Sequence, residues 1–278
     1  MITAIIVSYK TGRPLKDCLY ALAAERAITE IVIVDNGNPP EMVDWLARFV
    51  AATEHTSLLS PTENLGFGRA VNLGAAASHA DHLLVINPDC VIRPDALATL
   101  QAAADGRTSP ALIGGRIFGI DGQNQRGPQR RELTLGRLLS KLVGGAGINM
   151  PLEPQPAGPV PVDVTSGAFF LIDRSGFEAL GGFDEAYFLH VEDIDLCKRV
   201  HLAGGEVIYQ PEAGALHYGA TSDVSSAFVE RHKATGFARY LRKFSKGALA
   251  RVLAECLIPL IFIALMMRAW LADRRCGR

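Results

Sequence analysis

Four short apolar runs, at residues 2–7, 31–34, 57–59 and 82–86, punctuate the first 90 residues, and amphipathic helical patterns lie between them. After the first run, Pro14 suits an opening helical turn, and Leu15, Leu19 and Leu22 recur along one helical face. A second helix is predicted over 42–49, and a third holds Arg69 and Asn72. Strand–helix alternation with short links predicts an α/β fold built on a doubly wound, mostly parallel sheet. Ligands in such sheets bind outside the carboxyl ends of the strands. Ser8, Asp35 and Asp89 each follow a predicted strand, so all three are expected to face one crevice.

The second half has another texture. Residues 111–118 read as a strand, 121–131 as a polar loop and 133–143 as a helix. Gly and Pro are dense over 144–161, which predicts a flap over the crevice or a linker. Predicted strands at 162–165 and 168–172 bracket Ser166 and Gly167, short strands follow at 206–209 and 213–217, and 226–244 is a helix with a basic face.

Three carboxylates, Glu192, Asp193 and Asp195, stand at the mouth of a predicted helix, with Arg199 one turn beyond Asp195. Acidic side chains there complement the helix dipole, and capping alone would explain them. Asp35-Asn36-Gly37 is an ordinary turn former, or a carboxylate that accepts hydrogen bonds from a nucleotide's base or ribose. Residues 64–68 contain Gly-x-Gly but lack the third glycine of the dinucleotide fingerprint and follow the third strand, which argues against a Rossmann cofactor site. Asn87-Pro88-Asp89 is a strand-ending turn, or it presents a carboxylate to Mg²⁺ or Mn²⁺ bridging a diphosphate. His217 offers an imidazole, although a lone histidine is as readily structural.

Charge and cysteine usage bear on location. Net charge is −1, but residues 231–251 carry seven Lys or Arg and no acid, directly before an apolar run. A basic belt beside an apolar segment predicts an anionic membrane surface rather than nucleic acid as partner. Residues 252–271 are interrupted by Glu255 and Arg268, and the uninterrupted part, 256–267, has twelve residues and contains Pro259. A span needs about 20 apolar residues, so an interfacial segment is expected, with a single span or a core-packed or dimer-forming helix as alternatives. Trp270, Arg274, Arg275 and Arg278 suit an interface anchor. The five cysteines form no Cys-x-x-Cys pair, and no basic leader precedes the first strand. A cytoplasmic enzyme, peripheral on the inner face of the cytoplasmic membrane, is expected.

The motifs also form an ordered set. Ile-Val-Ser-Tyr at 6–9, Val-Asp-Asn-Gly at 34–37, Asn-Leu-Gly-Phe-Gly at 64–68 with Asn72, Asn-Pro-Asp at 87–89, Gly-Gly-Phe-Asp-Glu at 181–185, Glu-Asp-Ile-Asp-Leu-Cys at 192–197 and His217 follow one another. The chain resembles the family 2 glycosyltransferases of GT-A fold, in their rhamnosyltransferase-like branch, over residues 2–245. That resemblance implies an inverting, metal-dependent transfer of a sugar, with rhamnose as one candidate, from a dTDP- or UDP-sugar to a polyprenyl-diphosphate-linked envelope glycan precursor. It assigns Ser8, Tyr9, Asp35, Asn64, Arg69, Asn72 and Asn87 to the donor, Asp89 and His217 to the metal, Asp193 to the catalytic base, and Ser166, Gly167 and Glu192 to the acceptor. Asn87 stands where many members have the first Asp of Asp-x-Asp. The implied division is a glycosyltransferase domain over 1–245, with a nucleotide-sugar half at 1–110 and an acceptor half at 111–225, and a tail over 226–278. Because every assigned residue lies upstream, the tail is expected to be separable from the site. A sugar nucleotidyltransferase and a non-catalytic membrane scaffold are the alternatives. The first usually has a Gly-rich basic loop after its first strand, of which Lys10-Thr11-Gly12-Arg13 is a poor version, and four intact polar site residues argue against the second.

Overall fold

The computed structural model describes residues 1–142, 148, 150, 153–219 and 224–275. The first apolar run becomes β1 (Ile2–Ser8), buried along its whole length, as a strand covered on both faces must be. α1 (Arg13–Ala23) opens with Pro14 and buries Leu15, Cys18, Leu19 and Leu22. β2 (Ile28–Asp35), α2 (Pro40–Ala52), β3 (Thr56–Leu59), α3 (Phe67–Ala76) and β4 (His82–Ile86) follow. Their strands pair in parallel in the order β3-β2-β1-β4, and Ser8 lies in register with Asp35. This is the doubly wound half that the alternation predicts.

After it come β5 (Cys90–Ile92), α4 (Ala96–Ala104), β6 (Ala111–Phe118), α5 (Leu135–Leu142), β7 (Val160–Pro161), β8 (Phe169–Asp173), α6 (Arg174–Ala179), α7 (Glu192–Leu202), β9 (Glu206–His217), α8 (Ser226–Phe244) and α9 (Ala248–Arg275). The sheet continues through β8, β6, β9 and β5 and becomes mixed: β8 runs antiparallel to β4 and to β6, while β6 and β9 are parallel. β8 is reached by an excursion at the crevice end of the sheet, and an antiparallel neighbour needs no helical crossover. One core cluster packs the sheet against α1, α2 and α4, and a second packs it against α3, α7 and α8.

Several expectations need correction. The two strands predicted at 206–209 and 213–217 are one strand, β9. Its pairing jumps from Gly115↔Gln210 to Arg116↔Gly214, so the intervening residues form a bulge rather than a break. Residues 162–165 make only an isolated bridge, Val164 to Arg130. Of the predicted flap, residues 144–147, 149, 151 and 152 lie outside the described residues, and 160–161 form β7 against β9.

The tail differs most. α9 is one helix of 28 residues that continues through Pro259, not a twelve-residue segment. By length and composition it could cross a membrane. Its inner face is nonetheless occupied: Ala254, Leu257 and Ile261 pack with Leu241 of α8, joined by Leu135 and Leu138 of α5. Leu249, Val252, Leu260, Phe262, Ile263, Met267 and Trp270 remain exposed on the outside. Part of the basic belt is already paired, while Arg231, Lys246 and Arg251 stay exposed. Arg242 makes two hydrogen bonds to Glu255, at 2.6 and 2.7 Å, Arg239 and Lys243 both bind Asp184, and Lys243 also reaches Asp195 at 2.6 Å.

Candidate active site

The loop before α3 is pinned to the stretch before α7. Gly66 has φ +77°, and a Cβ there would collide with the Phe188 carbonyl, which accepts the Phe67 N–H at 2.9 Å. Asn36 completes the joint: its amide donates to Asn64 Oδ1 and to the Gly66 carbonyl, and its Oδ1 accepts the Leu65 N–H. Asn36 and Asn64 therefore help to wall a cavity of ≈ 650 Å³ at the carboxyl end of the parallel strands. Tyr9, Asn87, Asp89, His190 and His217 line it too, facing Lys233 of α8 and Arg268 of α9. Residues of the tail are thus part of the wall, because α9 folds back along α8.

Asp89 and His217 meet there. Cys90 pairs with His217 across β5 and β9, and this register sets His217 Nε2 3.3 Å from Asp89 Oδ1. Gln125 orients the ring from behind, its Oε1 2.6 Å from His217 Nδ1 and its amide donating to the His217 carbonyl at 2.8 Å. A proton on Nδ1 shared with Gln125 leaves the Nε2 lone pair directed toward the carboxylate, the arrangement expected behind a metal-binding imidazole. Asp89 Oδ2 accepts the Gly219 N–H. An oxygen and an imidazole nitrogen at this spacing suit Mn²⁺ or Mg²⁺, so the residues fit the expected ion. Cys90 lies within 4.8 Å of both, but burial and then the Asp89 charge hold its thiol well above the ordinary range, so it is no thiolate ligand.

Residues before α7 are strained. His190 and Val191 have φ of +67° and +74°, and for a β-branched residue such a backbone is a true outlier. Gly236 of α8 gives them room, since a Cβ there would meet Val191 and the His190 carbonyl. Burial, followed by the charge of Lys233, pulls the His190 imidazole down to about 4, so it is neutral at pH 7.

At the start of α7, Asp193 Oδ2 accepts from Arg130 at 2.6 Å and from the Gly167 N–H at 3.1 Å, while Oδ1 accepts the Ile194 N–H. Burial disfavours the charged form, but Arg130 and these hydrogen bonds outweigh it and hold the Asp193 carboxyl below the usual range. Glu192 is shifted the other way, upward, by burial and then by the Asp193 charge, and its Oε2 has no hydrogen-bond partner among the described residues. Asp195 is fully buried between Arg199 and Lys243, a structural ion cluster.

Other expected site residues lie elsewhere. Ser8 and Asp35 are buried beneath the cavity, both bound to Asn38, whose amide donates to Ser8 Oγ at 3.0 Å and to Asp35 Oδ1 at 2.9 Å. Arg69 and Asn72 line a separate cleft on α3. There Asn72 clamps the Phe183 backbone, accepting its N–H at 2.8 Å and donating to its carbonyl at 2.9 Å. Ser166 Oγ accepts the Ala168 N–H, while Gly167 donates its N–H to Asp193. Asn36, Gln125, Arg130, Lys233 and Arg268 carried no site assignment in the sequence, and only Asn36 belonged to a recognised motif.

Comparison with known proteins now decides the class. The family described as Glycosyl transferase family 2 matches residues 3–181. This chain belongs to that family. An N-acetylglucosaminyl-diphospho-decaprenol L-rhamnosyltransferase of Mycobacterium tuberculosis is 30% identical over 261 residues, covering 84% of this chain and 82% of that protein. Rhamnosyltransferase WbbL of Escherichia coli is 28% identical over 227 residues, 78% of this chain and 83% of the relative. Among solved structures, GalNAc-T7 with UDP, GalNAc and Mn²⁺ superposes with a TM-score of 0.63 at 15% identity, over 92% of this chain and 54% of that one. The mannosyltransferase PcManGT of Pyrobaculum calidifontis with GDP-Man and Mn²⁺ gives 0.59 at 16% identity, over 99% and 74%. The fold is of the GT-A type, and the family 2 member described here is a glycosyltransferase.

Proposed function

We propose that this glycosyltransferase moves a deoxyhexosyl residue, rhamnose in the first instance, from a dTDP- or UDP-sugar to a polyprenyl-diphosphate-linked glycan precursor, with inversion. The observation that carries the reading is the Asp89–His217 pair, 3.3 Å apart and braced by Gln125, on the wall of a cavity large enough for a nucleotide-sugar. The rhamnosyltransferase names of two relatives support the sugar, and the decaprenol in one of those names supports the acceptor.

In this mechanism Asp89 and His217 would hold Mn²⁺ or Mg²⁺, which would supply Lewis-acid stabilisation of the charge on the leaving diphosphate. Tyr9, Asn36, Asn64 and Asn87 bound the donor, with Ser8 and Asp35 shaping the floor through Asn38. Asp193, ionised at pH 7, takes the acceptor hydroxyl proton as that oxygen attacks the anomeric carbon, after Arg130 yields one lobe of the carboxylate. Gly167 and Ser166 back the acceptor side. Glu192, whose carboxyl is pushed upward by burial and by the Asp193 charge, can in its protonated form donate a hydrogen bond to an acceptor or sugar oxygen. Arg69 and Asn72 act on the donor only through the α3 loop. The enzyme lies on the cytoplasmic face of the membrane, with the exposed apolar side of α9 in the plane of the interface.

The test is transfer from dTDP-rhamnose, UDP-sugars and GDP-sugars to a lipid-linked acceptor, followed by release of nucleoside diphosphate. Divalent-dependent release that requires the acceptor is expected with dTDP- or UDP-sugars. Release with none of these donors under any divalent ion would refute the reading.

A further inference from the structure

Arg268 is a conspicuous interruption of α9. It follows the twelve uninterrupted apolar residues 256–267, and its guanidinium comes back to the cavity wall. Its Nε lies 3.8 Å from Glu230 Oε1, and Lys233 Nζ lies 3.7 Å from the same oxygen. Both separations are ion-pair distances too long for hydrogen bonds, so neither cation's donors are spent on Glu230. Glu230 is more than nine-tenths buried, and its other oxygen, Oε2, has no hydrogen-bond partner among the described residues. A buried carboxylate left half-satisfied beside two cations is costly as a purely structural device. The position of α9 is fixed independently, by the paired Arg242–Glu255 hydrogen bonds at its other end, while Ala269 and Ala272 bring the Arg268 turn close against the cavity.

We infer that Lys233, Glu230 and Arg268 form a diphosphate-binding subsite in which the two cations take the phosphate oxygens and Glu230 holds them in place until a ligand arrives. The inference rests on the reading that the cavity handles nucleotide-sugars. Guanidinium forks match phosphate oxygens bidentately, and Lys adds a mobile point charge. Two ligands of this reaction carry a diphosphate, the nucleotide donor and the lipid-linked acceptor, and both meet at a wall built from the helix with the exposed apolar face. The last turns of α9 thereby join the interfacial surface of the enzyme to its reaction chamber.

The experiment uses the full chain. Calorimetry with dTDP, UDP and thymidine tests the donor source. Flotation on neutral vesicles with and without polyprenyl diphosphate tests the acceptor source. Arg268→Gln and Lys233→Gln should each weaken one of the two diphosphate ligands by about tenfold, the cost of a charge-assisted contact, and leave thymidine unaffected. Glu230→Gln should tighten the same ligand, because it removes a competing anion, an effect that a merely structural role would not produce. Thermal melts of each variant confirm folding. If the wild type binds a diphosphate ligand and all three variants bind it equally well, the subsite is wrong while the function stands. A wild type that binds neither dTDP, UDP nor the polyprenyl diphosphate vesicles overturns both.

Discussion

Asp193 and Glu192 are neighbours in sequence with opposite electrostatics, and the difference comes from their partners. Arg130 and two backbone N–H groups stabilise a charge on Asp193, whereas Glu192 meets apolar surroundings and its neighbour's charge. Asp193→Asn keeps the size and should lower turnover by about 10²-fold or more, measured as sugar transfer, with nucleotide binding retained. Arg130 is a positioning residue. Since it favours the ionised carboxylate, Arg130→Gln should raise the Asp193 pKa and move the acid limb of kcat/KM to higher pH, with little change in donor KM. An unmoved limb would remove Arg130 from that role. For Glu192 the sign is reversed. Its folded pKa lies above the unfolded value, so the native state holds the extra proton. Stability should then fall as pH rises toward the folded pKa, by about 1.4 kcal/mol per unit at most. Melts of Glu192→Gln between pH 5 and 9 should show a flatter profile than wild type, and identical slopes would contradict the assignment.

At the scale of elements, the proposed metal pair is brought together by a strand pairing. Asp89 precedes β5, His217 ends β9, and the Cys90↔His217 register joins them across a long stretch of sequence. Gln125 comes from the loop after β6 and sets the ring. Gln125→Leu should therefore weaken Mn²⁺ affinity by about 10- to 100-fold, read by calorimetry without any turnover, while the fold is kept. Chelation should abolish transfer and Mn²⁺ or Mg²⁺ should restore it. Activity that persists in chelator would show that the pair has another purpose.

For the whole molecule, α9 gives the chain an apolar outer face, and α8 and α9 together wall the cavity. Membrane attachment is expected to rest more on that face than on the basic belt, because Arg239, Arg242 and Lys243 are already paired with carboxylates. In sedimentation with anionic liposomes, high salt should release only a minor fraction of the protein. Removing residues 252–278 should release the rest and also weaken nucleotide binding, since the Arg268 turn goes with it. A truncated chain that bound nucleotide normally would separate the tail from the site after all.

Short apolar runs and period-3.6 patterns made β1 to β4 and their helices legible, because a strand buried on both faces or a helix with one buried stripe records its surroundings locally. The glycines and turn formers of the site loops were legible as turns, but the positive φ of Gly66 goes with the close approach of the Phe188 carbonyl, which lies far away in sequence. Asp89, His217 and Asp193 were recognisable as an ordered set of motifs, though nothing in their spacing stated how they would pair. The direction of β8, the single bulged β9, and the return of α9 over the cavity all depend on contacts between segments remote in sequence, and so did Arg130, Gln125, Glu230 and Arg268. A side chain's local pattern specifies which face it turns inward. Which charge it will meet there is decided only when the chain closes on itself.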